Sequence, residues 1–214
     1  MLNMDYPLIA TTIDAELQLM IPDPDLIQAT YQQLKQVDTS APFPFWARVW
    51  PSSLALKQYL DNHLAIVEHQ SVLEIGAGIG IPSFAIRFVA SKITITDYDA
   101  NAVALMQHNI EQLQCSNVNA LQADWQRFPT NIEADIVLLS DVNYAPDQFD
   151  ALVVLIKYYI NTGSTVIIAT PERMSSAPFL TMVQSFVQYQ TIIPINNNDQ
   201  LTLIGLFVLK NDGE

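Results

Sequence analysis

From residue 71 onward, the apolar positions of the chain follow two alternating periods. Short continuous apolar runs, typical of buried strands, predict strands near 71–75, 92–96, 118–121, 134–140 and 164–169. Between these runs, apolar residues three and four positions apart predict amphipathic helices, one of them beginning after Asp99. Because strands that alternate with helices form a parallel sheet covered by helices, this part of the chain is predicted to be an α/β, doubly wound domain.

The two ends of the chain have different patterns. Near the carboxyl terminus, β-rich runs at 191–195 and 201–209 flank an Asn-rich turn and predict a hairpin. The first 70 residues contain a β-like run at 16–21, a helix that begins at Asp23 and Pro24, and a Pro-rich aromatic passage. We interpret the whole chain, 1–214, as a single domain, with 1–70 as an extension over the active-site mouth and 71–214 as the core.

The first strand of this core stops at the glycine-rich turn Gly76-Ala77-Gly78-Ile79-Gly80, and the second strand ends in Asp97. Glycines allow close approach of a ligand, and an acid about 20 residues beyond such a turn can reach ribose hydroxyls. The turn has the form G-x-G-x-G, whereas a dinucleotide site has G-x-G-x-x-G. Glu74, two residues before the first glycine, favours a cationic ligand over a pyrophosphate. The pattern therefore disfavours a nicotinamide enzyme.

These residues resemble the first motifs of the seven-strand, Rossmann-like S-adenosylmethionine-dependent methyltransferases. The resemblance implies a seven-stranded, mostly parallel sheet with an antiparallel C-terminal hairpin strand, and S-adenosylmethionine as the cofactor. It places Asp97 on the ribose, Tyr98 beside the adenine, Asp124 on the adenine amino group and Trp125 against the ring. The remaining cofactor-binding residues that it implies in this region are Glu74, Gly76, Ala77, Gly78 and Gly80.

The aromatic passage at 43–53 provides a second resemblance. By residue type alone, its two tryptophans are explained as a hydrophobic anchor. The passage resembles the W-A-x-x-W-P-G-G-x-A-L segment of protein lysine methyltransferases, particularly those acting on the β-subunit of electron transfer flavoprotein, with Ser52 and Ser53 replacing the glycines. This resemblance implies that Trp50 contacts the cofactor and that Trp46 and Arg48 bind the substrate nearer the entrance.

Asp141 and Tyr144 follow the fourth strand of the core, at the edge where open α/β sheets bind ligands. Their D-x-x-Y spacing resembles the acid-x-x-Tyr motif of the same lysine methyltransferases. The resemblance implies that Asp141 holds and orients the ammonium of the acceptor, while Tyr144 forms a wall or a hydrogen bond. The residue types leave open whether Asp141 also accepts the proton, because water is an equally good recipient.

Composition and charge narrow the expected partners. The chain has 22 acidic and nine basic residues and a formal net charge of −13, which disfavours binding to a phosphate backbone. Its single cysteine and scattered histidines predict no metal site and suit the cytoplasm, and no apolar run is long enough to span a bilayer.

We therefore expect a cytoplasmic S-adenosylmethionine-dependent methyltransferase that acts on a lysine of a protein substrate. Two alternatives remain, a small-molecule N- or O-methyltransferase and a non-catalytic S-adenosylmethionine-binding interaction module. The oligomeric state does not follow from the sequence.

Overall fold

A computed structural model of the protein describes residues 6–129, 131–143, 145–171, 176–197 and 200–211. The N-terminal part forms a two-stranded antiparallel sheet of β1 (Leu8–Thr12) and β2 (Gln18–Pro22), followed by helix α1 (Pro24–Val37). Helix α1 begins as predicted, because the Asp23 side chain accepts hydrogen bonds from the backbone N–H groups of Asp25 and Leu26. Strand β1 was not predicted, since its residues are mostly exposed and lack a clear apolar alternation.

The core is one seven-stranded sheet. Its strands are β3 (Ser71–Ile75), β4 (Lys92–Asp97), β5 (Val118–Gln122), β6 (Ile136–Ser140), β7 (Thr165–Pro171), β8 (Val187–Asn197) and β9 (Gln200–Leu209). Their order is β5-β4-β3-β6-β7-β9-β8, and β3 to β7 are parallel. Strand β9 lies antiparallel between β7 and β8. This arrangement confirms the predicted mostly parallel sheet with an antiparallel C-terminal hairpin strand.

Helices cover both faces of the sheet. They are α2 (Pro51–Asn62), α3 (Ile81–Ala85), α4 (Ala100–Gln112), α5 (Phe149–Asn161) and α6 (Ala177–Val183). Because side chains alternate along a strand, Val72 joins the apolar cluster beneath α2 and α4, while Leu73 joins the cluster beneath α5. Each face of the sheet therefore has its own hydrophobic core, and the face that carries Val72 also carries Glu74.

The N-terminal hairpin shares the core on the α2 and α4 side. Leu19 and Ile21 of β2 are buried in the same apolar cluster as Met106 of α4. The side-chain amide of Asn109 accepts a hydrogen bond from the Met20 N–H at 2.8 Å and donates one to the Met20 carbonyl at 2.9 Å. These contacts join the N-terminal hairpin to the sheet, while the single domain and its division into extension and core stay predictions.

The connection between β5 and β6 is irregular, as its short length predicted. Its described residues contain one 3-10 turn, Trp125–Arg127, and no α-helix. Helix α2 stops at Asn62 and leaves Leu64 exposed, and α6 stops at Val183. In the part of the chain that the structure describes, no helix has the length and apolar character needed to cross a membrane.

Candidate active site

A pocket lies at the carboxyl ends of β3, β4 and β6, the position where parallel sheets bind ligands. The turn at residues 76–81 and residues 140–142 line it. Asp97, Tyr98 and Trp125 also line it, together with residues from the passage before α2. The fold thus brings together five separate stretches of the sequence.

The three glycines of the turn share one unusual backbone conformation. Gly76, Gly78 and Gly80 have φ angles of +65°, +55° and +79°, in the left-handed region that side chains with a Cβ rarely adopt. A Cβ on Gly76 would lie 2.8 Å from Cγ1 of Val142, and a Cβ on Gly78 would lie 3.0 Å from the carbonyl oxygen of Trp46. Glycine is therefore required both by backbone conformation and by close packing.

Asp97 is held in place by the turn. Its Oδ2 accepts a hydrogen bond from the Gly78 N–H at 2.9 Å, and its Oδ1 accepts one from the Asp99 N–H at 3.0 Å. The side chain is buried, and this burial raises the pKa of the carboxyl above its ordinary value despite the backbone hydrogen bonds. Each oxygen keeps a further lone pair, so the carboxylate has the capacity to accept bonds from two vicinal hydroxyls.

Glu74 lies in β3, directly before the turn, and is fully buried. Its Oε2 accepts hydrogen bonds from Ser83 Oγ at 2.5 Å and from the Ser83 N–H at 3.2 Å, whereas Oε1 has no partner among the described residues. Burial is the largest cause that raises the pKa of this carboxyl to about 7. Glu74 is not one of the residues that line the pocket. Its contact with the cofactor therefore stays a prediction. The unpartnered Oε1 supports that prediction, because it is a buried acceptor that can still bind a ligand.

The residues predicted to surround the adenine take different positions. The ring of Tyr98 is half-exposed and lines the pocket, as does Trp125. Asp124 is not a lining residue, because its side chain accepts a hydrogen bond from the Gln126 N–H at 2.9 Å and caps the short turn that follows. The structure thus places Tyr98 and Trp125 at the pocket, while the adenine contact of Asp124 stays a prediction.

The aromatic passage acts both as an anchor and as a wall. Trp46 is buried in the core, and its carbonyl packs against Gly78. The Trp50 ring lies at the pocket, with its Nε1–H donating to the Phe45 carbonyl at 2.8 Å. The Arg48 guanidinium lies 5.1 Å from the centre of a Trp50 ring, a cation–π arrangement. The anchor and cofactor-site interpretations are therefore compatible.

Asp141 follows β6 directly and lines the pocket. Its φ is +56°, an uncommon conformation for a residue with a side chain, and one that costs about 1–3 kcal/mol. The Asp141 N–H donates to the Ala169 carbonyl at 2.9 Å, which ties this conformation to β7. Such strained residues cluster at functional sites. Tyr144, the second predicted catalytic residue, lies outside the described residues.

The structure also adds residues to the predicted site. Phe45, Ser53, Ser140 and Val142 line the pocket without having been predicted as site residues. Ser53 lies within the recognised aromatic passage, and Ser140 immediately precedes Asp141, so proximity in sequence could have indicated both. The contact of Val142 with the glycine turn is purely tertiary.

Within the described ranges, no group of three or more His, Cys, Asp or Glu side chains could hold a metal ion.

The strand order and the position of the pocket define a Rossmann-like fold of the methyltransferase type. The fold is similar to that of the N-methyltransferase NodS from Bradyrhizobium japonicum WM9, with a TM-score of 0.58 and 14% sequence identity over 73% of this chain and 94% of that one. Residues 43–186 match the model of the lysine methyltransferase family. The chain belongs to this family.

Two relatives illustrate how far the similarity extends. The electron transfer flavoprotein beta subunit lysine methyltransferase of Mus musculus is 31% identical over 137 residues, which are 61% of this chain and 51% of that protein. The protein N-terminal and lysine N-methyltransferase EFM7 of Yarrowia lipolytica is 28% identical over 160 residues, 61% of this chain and 59% of that protein. The chain thus spans little more than half the length of these relatives.

Proposed function

We propose that the protein is an S-adenosylmethionine-dependent methyltransferase that transfers a methyl group to a lysine side chain of a protein substrate. The observation that carries this proposal is the pocket itself, where the glycine turn, the buried Asp97 carboxylate and Asp141 converge from the ends of β3, β4 and β6. Membership in the lysine methyltransferase family and the names of the two relatives support the choice of acceptor.

The residues of the pocket suit this cofactor chemically. Asp97 would accept hydrogen bonds from the ribose hydroxyls, and the rings of Tyr98 and Trp125 would pack on the adenine. The unpartnered oxygen of Glu74 would stabilise a cationic group near the turn. When bound, the cofactor supplies a methyl group on a positively charged sulfur, which is an activated leaving group. The proposed cofactor-binding residues are Trp50, Glu74, Gly76, Ala77, Gly78, Gly80, Asp97, Tyr98, Asp124 and Trp125.

In the proposed reaction, the protein positions the acceptor and controls its proton. A lysine with a pKa near 10.4 loses its proton at pH 7 at a cost of about 4–5 kcal/mol, so the ammonium must be held where it can deprotonate. Asp141, which is buried and lines the pocket, would orient this ammonium, together with Tyr144. Holding the amine nitrogen about 3–3.5 Å from the methyl carbon that it attacks lowers the activation barrier of the transfer by up to about 7–11 kcal/mol.

The aromatic passage would keep water out of this reaction. Trp46 and Trp50 form the wall that faces the glycine turn, and Arg48 lies beside Trp50 at the outer side. We assign substrate binding to Trp46 and Arg48 on this basis. The proposed partner is a protein, in the cytoplasm, and the chain's charge of −13 argues against a nucleic-acid substrate.

The proposal is tested by adding the protein and tritiated S-adenosylmethionine to a lysate of cells that lack it. We expect the tritium label to appear in protein. Mass spectrometry should locate the methyl group on a lysine side chain. We expect Asp141→Ala to abolish transfer. Asp141→Asn is the sharper variant, because asparagine tolerates positive φ and removes only the charge. It should lower turnover by about 100-fold or more.

The control is the exposed Asp150→Asn on α5, which should leave turnover unchanged. Calorimetry should give cofactor affinities within a few-fold of one another for all these variants. Label found only in small solutes would favour the small-molecule alternative. Cofactor binding without any transfer would favour the interaction module.

A further inference from the structure

The active-site pocket continues into a groove that the proposed reaction does not use. Arg48, Trp50 and Asp141 line both the pocket and this groove. The far wall of the groove is formed by Gln200 and Thr202 of β9. The groove therefore begins at the residue that would orient the acceptor lysine and leads away from it toward the β8–β9 hairpin.

Beyond the groove lies a cavity of about 710 Å³ between β1, the start of α1 and the passage that precedes α2. Arg48, Val49 and Asn197 line both the groove and the cavity, so the two spaces adjoin. The apolar part of the cavity wall includes Ile13, Ile21, Ile27, Phe43, Val49 and Leu54. A volume of this size is within the range of ligand pockets and accommodates apolar side chains.

Arg48 gives the groove its charge. It is the one cationic side chain that lines the groove or the cavity among the described residues. Within that same part of the chain, it forms no ion pair, although acidic residues outnumber basic ones by 22 to nine in the whole sequence. The Trp50 ring fixes the guanidinium at the wall, where its N–H groups remain able to bind a carboxylate.

We propose that this groove and cavity bind the acceptor protein along the segment that carries the lysine. An Asp or Glu near the lysine pairs with Arg48, and an apolar side chain further along enters the cavity. This inference rests on the proposed function and adds the chemistry by which the substrate is selected. A protein segment fits better than a small solute, because the lined space extends from Asp141 through the groove to the cavity.

The charge pairing is tested by reversing the charge of the side chain at position 48. Methylated sites are first identified by mass spectrometry in a lysate that lacks the protein, and one acceptor is then purified. We expect an acidic residue close in sequence to the methylated lysine, because Arg48 and Asp141 line the same groove. Arg48→Glu should lower kcat/KM for this acceptor at least tenfold, and replacing that acidic residue by lysine should restore transfer by the Arg48→Glu enzyme.

The matched control is Lys92→Glu, which makes the same change in net charge at the exposed amino end of β4, the opposite edge of the sheet. It should keep kcat/KM within twofold. Equal losses from the two reversals, or no rescue by the reversed acceptor, would overturn the charge pairing.

The cavity is tested by filling it. Thr11 lines the cavity, whereas Ala10, its neighbour in β1, points to the other face and does not. We expect Thr11→Trp to raise KM for the acceptor at least fivefold and Ala10→Trp to leave KM unchanged. Gln28→Trp, which fills the cavity from α1, is a second variant in case the first disturbs the hairpin.

Cofactor affinity, measured by calorimetry, should be retained in all three cavity variants. If both filled variants bind the acceptor as well as wild type, the cavity assignment is wrong. Failure of the proposed function has a different result, because the wild-type enzyme would then label no protein at all.

Discussion

Burial of Glu74 predicts how the free energy of unfolding depends on pH. Its pKa rises from the ordinary 4.5 to about 7 in the folded protein, chiefly because burial disfavours the charged form. Between these two values, the folded state binds more protons than the unfolded state. The free energy of unfolding therefore falls as the pH rises through this window, and the stability present below pH 4.5 is lost above about pH 7.

The size of this loss follows from the two pKa values. At 1.36 kcal/mol per pKa unit, the interval between 4.5 and about 7 corresponds to about 3 kcal/mol. Glu74→Gln removes the ionisation while retaining the shape of the side chain. Other groups also titrate here, so the informative quantity is the difference in free energy of unfolding between wild type and variant. We expect this difference to shift by about 3 kcal/mol in favour of the variant between pH 4 and pH 8.

Urea unfolding at five pH values, followed by tryptophan fluorescence, measures this shift. A constant offset between the two proteins is compatible with the reasoning, because the buried amide group of glutamine has its own unmet hydrogen bonds. The exposed Glu111→Gln is the control and should parallel wild type. A difference between wild type and Glu74→Gln that varies by less than about 0.5 kcal/mol over this range would refute the burial argument.

Three further variants test the site and its support. Asp97→Asn should weaken S-adenosylmethionine binding by about 10- to 100-fold in calorimetry, because it loses charge-assisted hydrogen bonds of about 1.5–3 kcal/mol; unchanged affinity would remove Asp97 from the cofactor site. Gly78→Ala should also reduce cofactor binding, since the new Cβ would lie 3.0 Å from the Trp46 carbonyl oxygen. Gly163→Ala, at a residue with φ +99° and open space around it, should lower only thermal stability. Equal cofactor affinities of these two variants would contradict this expectation. Asn109→Ala should lower the free energy of unfolding by about 2–4 kcal/mol in urea titrations, because both backbone groups of Met20 lose their partner; a loss below about 0.5 kcal/mol would show that water replaces the amide.

Local patterns in the sequence predicted most of the sheet. The apolar runs identified β3 to β7 to within two residues at each end, because a buried strand must be apolar whatever surrounds it. The spacing of Gly76, Gly78 and Gly80 predicted the close-approach turn, since positive φ is a property of single residues. The position of Asp97 and Asp141 at strand ends followed from parallel strands ending at a common edge.

Tertiary structure decided what those local patterns could not specify. Trp46 packs on Gly78 and Arg48 borders both the cofactor pocket and the outer groove, although the aromatic passage and the turn are about 30 residues apart in sequence. The alternation of β3 puts Glu74 on the core face, where one oxygen of its carboxylate is bonded to Ser83.

Sequence by itself therefore determined the strands β3 to β7 of the core, their parallel arrangement and the residue types at the strand ends. Only the packed structure decided which of those side chains reach the pocket, that Glu74 is fully buried, and that a groove lined by Asp141 adjoins a cavity at the N-terminal hairpin. The physical reason is that hydrophobic periodicity reports which face of one element is buried. The distance between side chains from different elements depends on how those faces pack together.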